Sequence, residues 1–306
     1  MRAWRMHGYG EPPRLEECAL PEPGPGELRV RVAAASVNPI DWKLADGLLR
    51  AMFEPRLPRV LGRDCSGTID ALGPEVTQFA PGDEIAGVAD MARDGTHAEY
   101  CLLPAAQVAR RPAGLPPADA AALGVSGVSA YIALVEVAKV TSGVRVLVHA
   151  GAGGVGSFAI QIGRQLGAEV TTTCSAANAE FCRSLGAHHV IDYATEDFAR
   201  QRGFDVVLDT LGGAVHERSL AVLAPGGTLV WLAAAPFDAA LTRDDVHVVR
   251  AEIRCTAERM ATLLDWVARG TLRVPVETRI AFADARRAYA LSRSGHARGK
   301  VVVIVT

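Results

Sequence analysis

Residues 144–166 read VRVLVHAGAGGVGSFAIQIGRQL, and this stretch decides the fold. An apolar run over 146–150 meets Gly151, Gly153, Gly154 and Gly156, after which Phe158, Ile160, Ile162 and Leu166 recur at helical spacing. A buried parallel strand, a tight turn and a helix opening on that turn have this form. Gly151 and Gly153 lack a β-carbon where the backbone has to turn sharply and approach a pyrophosphate, and Gly156 lets the helix lie close against the strand. The unpaired N–H groups and positive dipole end of the helix then face the phosphates. A glycine-rich turn can also be purely structural. The strand before it and the helix after it favour a dinucleotide cradle made of Gly151, Gly153, Gly154, Val155 and Gly156.

The chain of 306 residues is long enough for two domains, each with its own core. Its 32 basic and 34 acidic residues leave a formal net charge of -2, so no basic field points to nucleic acid or to a membrane surface. The opening MRAWRMHGYGEPP has no apolar core of a signal peptide, and no uninterrupted apolar run approaches the roughly 20 residues of a membrane span. A cytoplasmic enzyme is the expectation. Six cysteines, Cys18, Cys65, Cys101, Cys174, Cys182 and Cys255, are scattered without a C-x-x-C pair, which favours reduced structural thiols over disulfides or a zinc knuckle.

Up to about Leu115 the signals are β, with short apolar runs between prolines and glycines. In ELRVRVAAASVN, Leu28, Val30 and Val32 alternate with Arg29 and Arg31, as in a half-buried strand, and the strand spacing suggests a small, partly open barrel. A proline-rich connector at 112–119 precedes a small-residue helical stretch at 120–137. From Val144 strands and helices alternate through about residue 233, the pattern of a parallel, doubly wound sheet. A strand-like run follows at 246–253, then an amphipathic helix at 256–269 with Met260, Leu263, Leu264 and Val267 on one face, best explained as core. The tail reads strand (276–280), helix (283–292), strand (301–305), and is expected to return to the first domain. The division is therefore 1–118 with 257–306, and 119–256 as the dinucleotide-binding domain.

These motifs, in this order, resemble the medium-chain dehydrogenase/reductase superfamily, and within it the zinc-independent quinone oxidoreductase branch related to zeta-crystallin. The matching stretches are AASVNPIDWKL (34–44), LGRDCSGTIDALGPEVTQFAPGDEIAG (61–87), GTHAEYCLLPA (95–105), GVSGVSAYIAL (124–134), the glycine turn, SLGAHHVIDY (184–193), FDVVLDTLGG (204–213) and GHARGKVVV (295–303). The resemblance implies an α/β protein: a GroES-like partly open β-barrel, made from both ends of the chain, and a Rossmann domain, with the active site in the cleft between them.

In the alcohol-dehydrogenase branch a cysteine zinc ligand stands where this chain has Asn38, and Gly-His-Glu stands where it has Gly62-Arg63-Asp64. A catalytic zinc needs three close ligands with an open fourth position, so no metal is expected. Without one, a conjugated acceptor is the easier substrate, because the charge that develops on hydride transfer spreads over an enone or quinone oxygen. Asn38 and Asp41 match the family's N-x-x-D: Asn38 as a donor to the substrate oxygen, Asp41 as an organiser of the loop or a proton path, against the alternative of an Asx turn satisfying backbone. Lys43 stands where several quinone reductases carry tyrosine, a possible proton donor, which speaks against tyrosine-mediated protonation here; Lys43 is a catalytic candidate, against the alternative of a solvated surface group. Arg63 either meets a substrate oxygen or pairs with Asp64.

For the cofactor, NAD-specific proteins often place an acidic residue about 20 residues beyond the turn. Here the second strand ends Thr171-Thr172-Thr173-Cys174-Ser175 with no carboxylate before Glu180, which favours NADPH over NADH. The usual lysine of S-x-K-N is Ala177 in this chain, leaving Ser175, Asn178 and the family's Tyr193 for the phosphate, with Arg183 as a substitute cation or a surface group. Ser129 matches a hydroxyl near the nicotinamide, and Leu211 and Gly212 should lie along the cofactor trough. His149 reads as a strand-end histidine satisfied by backbone rather than an acid or base.

The function expected is reduction of a quinone or other α,β-unsaturated carbonyl by NADPH without zinc. The alternatives are an enoyl reductase on a biosynthetic acyl intermediate and a non-catalytic NADPH-binding protein of crystallin or sensor type. A small molecule is the expected partner, with specificity in loops 48–59 and 234–243. The run 246–253 resembles the family's dimer-forming strand, so a homodimer is expected.

Overall fold

The computed structural model describes residues 1–232 and 243–306; the expected specificity loop at 234–243 therefore lies outside the described residues except for Arg243. The chain divides into two compact units, Met1–Val125 with Cys255–Gly270 and Val274–Thr306, and Ser126–Arg254 with Thr271–Arg273.

The first unit begins with strands β1 (Arg2–Met6), β2 (Arg14–Glu17) and β3 (Glu27–Val37), then helix α1 (Pro39–Ala45). Strands β4 (Arg59–Val60), β5 (Asp64–Leu72), β6 (Glu84–Val88), β7 (Tyr100–Pro104) and β8 (Val108–Arg110) follow, and helix α2 (Pro117–Tyr131) closes the segment. β3 is the hub. Leu28, Val30 and Val32 are fully buried on one face while Arg31 is exposed on the other, the alternation a one-sided strand requires. With Ile69, Ile85, Leu103 and Val108 they form one apolar cluster, each such side chain contributing about 1.5–3 kcal/mol by leaving water.

The division falls inside α2, at Val125, rather than at the proline-rich connector before it. Ala118, Ala121 and Ala122 pack against Ala34 and Val302, which keeps the first turns of α2 in the first unit. Gly124 then leaves helical geometry (φ −40, ψ −109), and the chain passes into the second unit. The helical run over Pro117–Val137, 21 residues with mean hydropathy 1.7, is long and apolar enough to cross a membrane by composition. Most of it is buried within the fold, as a core helix is.

The second unit holds β9 (Arg145–Val148), α3 (Gly154–Gln165), β10 (Glu169–Cys174), α4 (Ala179–Ser184), β11 (His189–Asp192), β12 (Phe204–Asp209), α5 (Gly213–Ser219), β13 (Leu223–Trp231) and β14 (His247–Arg250). Every pairing is parallel, in the order β11-β10-β9-β12-β13-β14. The order reverses between β9 and β12, and ligands of open parallel sheets bind at the carboxyl ends beside that switch. Val146, Leu147 and Val148 are each 0% exposed, which explains why β9 is a continuous apolar run rather than an alternating one.

The tail returns to the first unit with α6 (Ala257–Ala268), β15 (Val276–Ala281), α7 (Ala285–Arg293) and β16 (Lys300–Ile304). The Thr256 hydroxyl caps α6 by accepting from the Arg259 N–H at 3.2 Å, and Met260, Leu263 and Leu264 are its buried stripe; Val267 is only half-buried. β16 pairs antiparallel with β3, Val301 opposite Val37 and Ile304 opposite Ala34, giving a seven-stranded sheet in the order β15-β16-β3-β5-β6-β8 with β7 also on β3. That sheet carries Ser36, Asp64 and Lys300, which belong to the polar cluster described next.

Candidate active site

In the second unit, β9 ends at Val148 and the backbone turns through Ala150, held at φ 53. Its amide and that of Gly151 are fixed by the Thr173 hydroxyl (3.2 Å) and carbonyl (3.0 Å), and the Thr172 hydroxyl donates to the Val148 carbonyl at 2.7 Å. The glycines of the turn are required for different reasons. A β-carbon on Gly151 would lie 1.9 Å from the Thr172 hydroxyl oxygen, and one on Gly156 would lie 2.3 Å from the Ala150 carbonyl oxygen. Both are forced by the protein's own packing. On Gly153 it would meet only the Ala150 oxygen, at 3.2 Å, a tight contact but far less severe than the other two, so packing demands a glycine there less strongly. Gly153 is the N-cap of α3 and offers no side-chain cap, leaving the first-turn amides of Gly154, Val155 and Gly156 without intrahelical acceptors. An anion fits that end.

The neighbouring strand ends carry the other expected contacts. Asn178 donates to the Ser175 hydroxyl at 3.1 Å. Cys174 pairs with Asp192, which brings Ser175 and the 60%-exposed Tyr193 side by side. Asp192 is a carboxylate near this corner that spacing along one strand does not reveal; its own turn engages it, through the Ala194 N–H (3.1 Å) and the Thr195 hydroxyl (3.2 Å). Arg183 is exposed and lies 3.8 Å from Glu180. After β12, Asp209 accepts from the amides of Leu211 (2.8 Å) and Gly212 (2.9 Å) and from His216 Nδ1 (3.0 Å), so the loop bearing those two residues is shaped by a buried carboxylate. Ser129 is buried in α2. His149 finds its partners in side chains, not backbone: Nδ1 meets the Thr173 hydroxyl at 3.2 Å and Nε2 the Ser219 hydroxyl at 2.9 Å. Burial lowers its pKa to about 4, so it is a neutral core residue.

The first unit gathers a separate polar cluster around Asp64, which is 0% exposed. Its Oδ2 accepts from the Ser36 hydroxyl (2.6 Å) and Asn38 Nδ2 (2.8 Å), and its Oδ1 accepts from the Val125 N–H (2.9 Å). Lys300 Nζ donates to Asn38 Oδ1 at 2.6 Å and lies 3.9 Å from Asp64 Oδ2. Asn38 is thus 1% exposed with both ends of its amide engaged internally, which favours a holding role over the donor role expected of it. Asp41 does what the Asx-turn alternative describes: its Oδ2 accepts from the Asn38 N–H at 2.7 Å, across the first turn of α1. Burial raises the Asp41 pKa to about 7, opposed by that backbone bond, while Asp64 raises it further and Arg63 and Lys300 lower it.

Arg63 does not pair with Asp64. Its Nε and Nη1 are buried without a hydrogen-bond partner, and burial lowers its pKa against the pull of Asp64 and Asp41. Lys43 is half-buried with its ammonium 5.8 Å from the Trp42 ring centroid, and burial lowers its pKa. Sequence reasoning missed Lys300 and His97. His97 is fully buried, with Nδ1 at 2.7 Å from the Tyr289 hydroxyl and Nε2 at 3.2 Å from the Ser36 carbonyl, and burial lowers its pKa to about 4. A lysine opening the apolar strand KVVVI was the available signal for Lys300. Among the described residues, no three His, Cys, Asp or Glu side chains are grouped to hold a metal ion.

Two family profiles match the chain: an alcohol dehydrogenase GroES-like domain over residues 24–113 and a zinc-binding dehydrogenase over residues 185–303. A chloroplast envelope quinone oxidoreductase homolog of Arabidopsis thaliana is 30% identical over 325 residues, spanning 99% of this chain and 98% of that one. The structure of the quinone oxidoreductase from Coxiella burnetii superposes with a TM-score of 0.93 at 31% identity, covering 100% of this chain and 99% of that chain. This chain belongs to the medium-chain dehydrogenase/reductase superfamily, in its zinc-independent quinone oxidoreductase branch. The Escherichia coli quinone oxidoreductase complexed with NADPH also superposes, with a TM-score of 0.91 at 26% identity over all of both chains. As a member of this superfamily the chain is an NAD(P)H-dependent oxidoreductase, with a GroES-like first unit and a Rossmann-like second unit.

Two outcomes follow from this geometry. Gly153→Ala should fold with a melting temperature close to that of the parent and weaken dinucleotide binding about tenfold, ~1.4 kcal/mol, whereas Gly151→Ala should lower the melting temperature; calorimetric titration and thermal melts separate the two. The second concerns pH. The folded Asp41 carboxyl, at about 7, holds its proton more tightly than the unfolded one, at 3.8. Its contribution to stability is therefore fully present below pH 3.8 and lost as pH rises through about 7. Urea unfolding should show the parent losing stability relative to Asp41→Asn between about pH 4 and about pH 7; parallel curves would contradict the assignment.

Proposed function

We propose that this oxidoreductase reduces a quinone or another α,β-unsaturated carbonyl, that NADPH is its preferred cofactor, and that Arg63 receives the acceptor oxygen. The observation that carries the reading is the Arg63 guanidinium, which buries two nitrogens without hydrogen-bond partners beside a carboxyl that is half-protonated near neutrality. Bound NADPH supplies the hydride. Arg63 offers fixed N–H donors to the oxygen on which negative charge develops, and such preorganised donors act strongly where water is excluded. Asp41 holds an exchangeable proton at its carboxyl at neutral pH. Conjugation suits this machinery, since a delocalised enolate or hydroquinone anion needs less stabilisation at one point than the alkoxide of a simple ketone.

The preference for NADPH is supported by the strand end at Thr172-Thr173-Cys174-Ser175, which carries no carboxylate of its own while the neighbouring Asp192 is engaged by its own turn, and by Ser175 with the exposed Tyr193 beside it. The Escherichia coli neighbour described with NADPH points the same way.

The test is to mix the protein with NADPH or NADH and a panel of benzoquinones, naphthoquinones and enones, following loss of reduced-nicotinamide absorbance. Turnover with NADPH ahead of NADH is expected, and Arg63→Met should raise the KM for the acceptor about tenfold or more, the cost of losing a hydrogen bond to a charged group. Tight NADPH binding with no turnover of any quinone or enone would replace the enzyme reading with that of a cofactor-binding sensor. We also propose a homodimer. β14 ends the parallel sheet, no described strand pairs with its outer edge, and Val248 and Ile253 expose 39% and 36% of their surface. Sedimentation should give twice the chain mass, and a monomer at every concentration would refute it.

A further inference from the structure

Lys300 is the first residue of β16 and is 2% exposed, an unusual place for a lysine with no role. A buried ammonium needs compensation, and here it comes from Asn38 Oδ1 at 2.6 Å and the Asp64 carboxylate at 3.9 Å. The next charged residue to Asp64 along the chain is Arg63, whose planar fork is the better match for a carboxylate. That pairing does not form. Both Asp64 oxygens are taken, Oδ2 by Ser36 and Asn38 and Oδ1 by the Val125 N–H. The helix kink closes the remaining side, since a β-carbon on Gly124 would sit 2.4 Å from the Asp64 carboxyl carbon. Meanwhile two nitrogens of Arg63 stay unmatched.

We infer that Lys300 is a positioning residue: by neutralising Asp64, and by holding Asn38 against it, it keeps that carboxylate from drawing in Arg63 and so leaves the guanidinium for the acceptor oxygen. The inference rests on the reading of Arg63 given above and extends it to a residue at the far end of the chain. Removing the positive charge leaves Asp64 buried and uncompensated, and Arg63 is the adjacent cation able to move onto it. Removing the Asp64 charge at the same time removes the reason to move.

The experiment uses the full-length protein with NADPH and a benzoquinone, measuring KM and kcat for Arg63→Met, Lys300→Gln, Asp64→Asn and the Lys300→Gln/Asp64→Asn pair, with thermal melts of each. Glutamine keeps a donor for Asn38 Oδ1 while removing the charge, so it separates charge from hydrogen bonding and is the variant best able to fold. Lys300→Gln should raise the acceptor KM about tenfold, as loss of the Arg63 contact would, with a smaller change in kcat. The double substitution should bring KM back to within about twofold of the parent, within the ordinary range for a near-neutral change. A structural role alone would lower the melting temperature without moving KM and without rescue by Asp64→Asn. An unchanged KM in Lys300→Gln, or a rise that the second substitution does not reverse, overturns the inference. If Arg63→Met itself leaves KM unchanged, the Arg63 reading fails and takes this one with it; if Arg63→Met raises KM and Lys300→Gln does not, only the positioning role fails.

Discussion

The buried carboxylate of Asp64 is the constraint on which the polar cluster of the first unit depends. It opens β5, and its bonds reach β3 through Ser36, the start of α1 through Asn38, α2 through Val125 and, at 3.9 Å, the first residue of β16. Thr96 adds a further tie by donating to the Asp64 carbonyl at 2.9 Å. A charge buried this completely costs several kcal/mol unless paired and hydrogen-bonded, and breaking one side of such a pair costs about 3–5 kcal/mol. One side chain therefore ties together β3, the start of α1, α2 beside its kink and the start of β16.

The cofactor side depends on backbone instead. Its strand, turn and helix are ordered by Thr172 and Thr173 of the adjacent strand, and the side chains that matter most are the ones that are missing. A β-carbon on Gly151 or Gly156 would collide with the protein itself, while one on Gly153 would meet only the Ala150 oxygen. This distribution separates a structural turn from a binding one. Gly151 and Gly156 serve packing, while Gly153 stands at the uncapped end of α3, where an anion could be held.

How much of this was legible in the sequence follows from the range of the interactions concerned. Periodicity is local, so the alternation in β3, the apolar run of β9 and the stripe of α6 were readable, and with them the two-part architecture. The end of the first unit was not, because what breaks α2 is a glycine lying against a carboxylate sixty positions earlier, and no composition signal marks it. Asn38 presents the same difficulty more sharply. Its neighbours Pro39 and Asp41 suggest a turn, but its amide partners, Asp64 and Lys300, are 26 and 262 residues away. Lysine is read as solvated by default, and only its place at the head of an apolar strand speaks against that for Lys300. Asp192 shows the limit from the other direction: scanning one strand for an acidic residue cannot see the carboxylate that pairing brings next to it.

Arg63 stands out because its unpaired nitrogens have a price. A buried donor left without an acceptor costs about 1–3 kcal/mol, and native proteins keep such groups where a ligand or a reaction uses them. No internal acceptor relieves the cost, since Asp64 is filled and Asp41 has turned its carboxylate to the Asn38 amide. The same guanidinium also depresses the Asp41 pKa, against the larger effect of burial. Arg63 and Asp41 are therefore coupled: a negative group that engages the guanidinium weakens its pull on Asp41 and raises the proton affinity of that carboxyl.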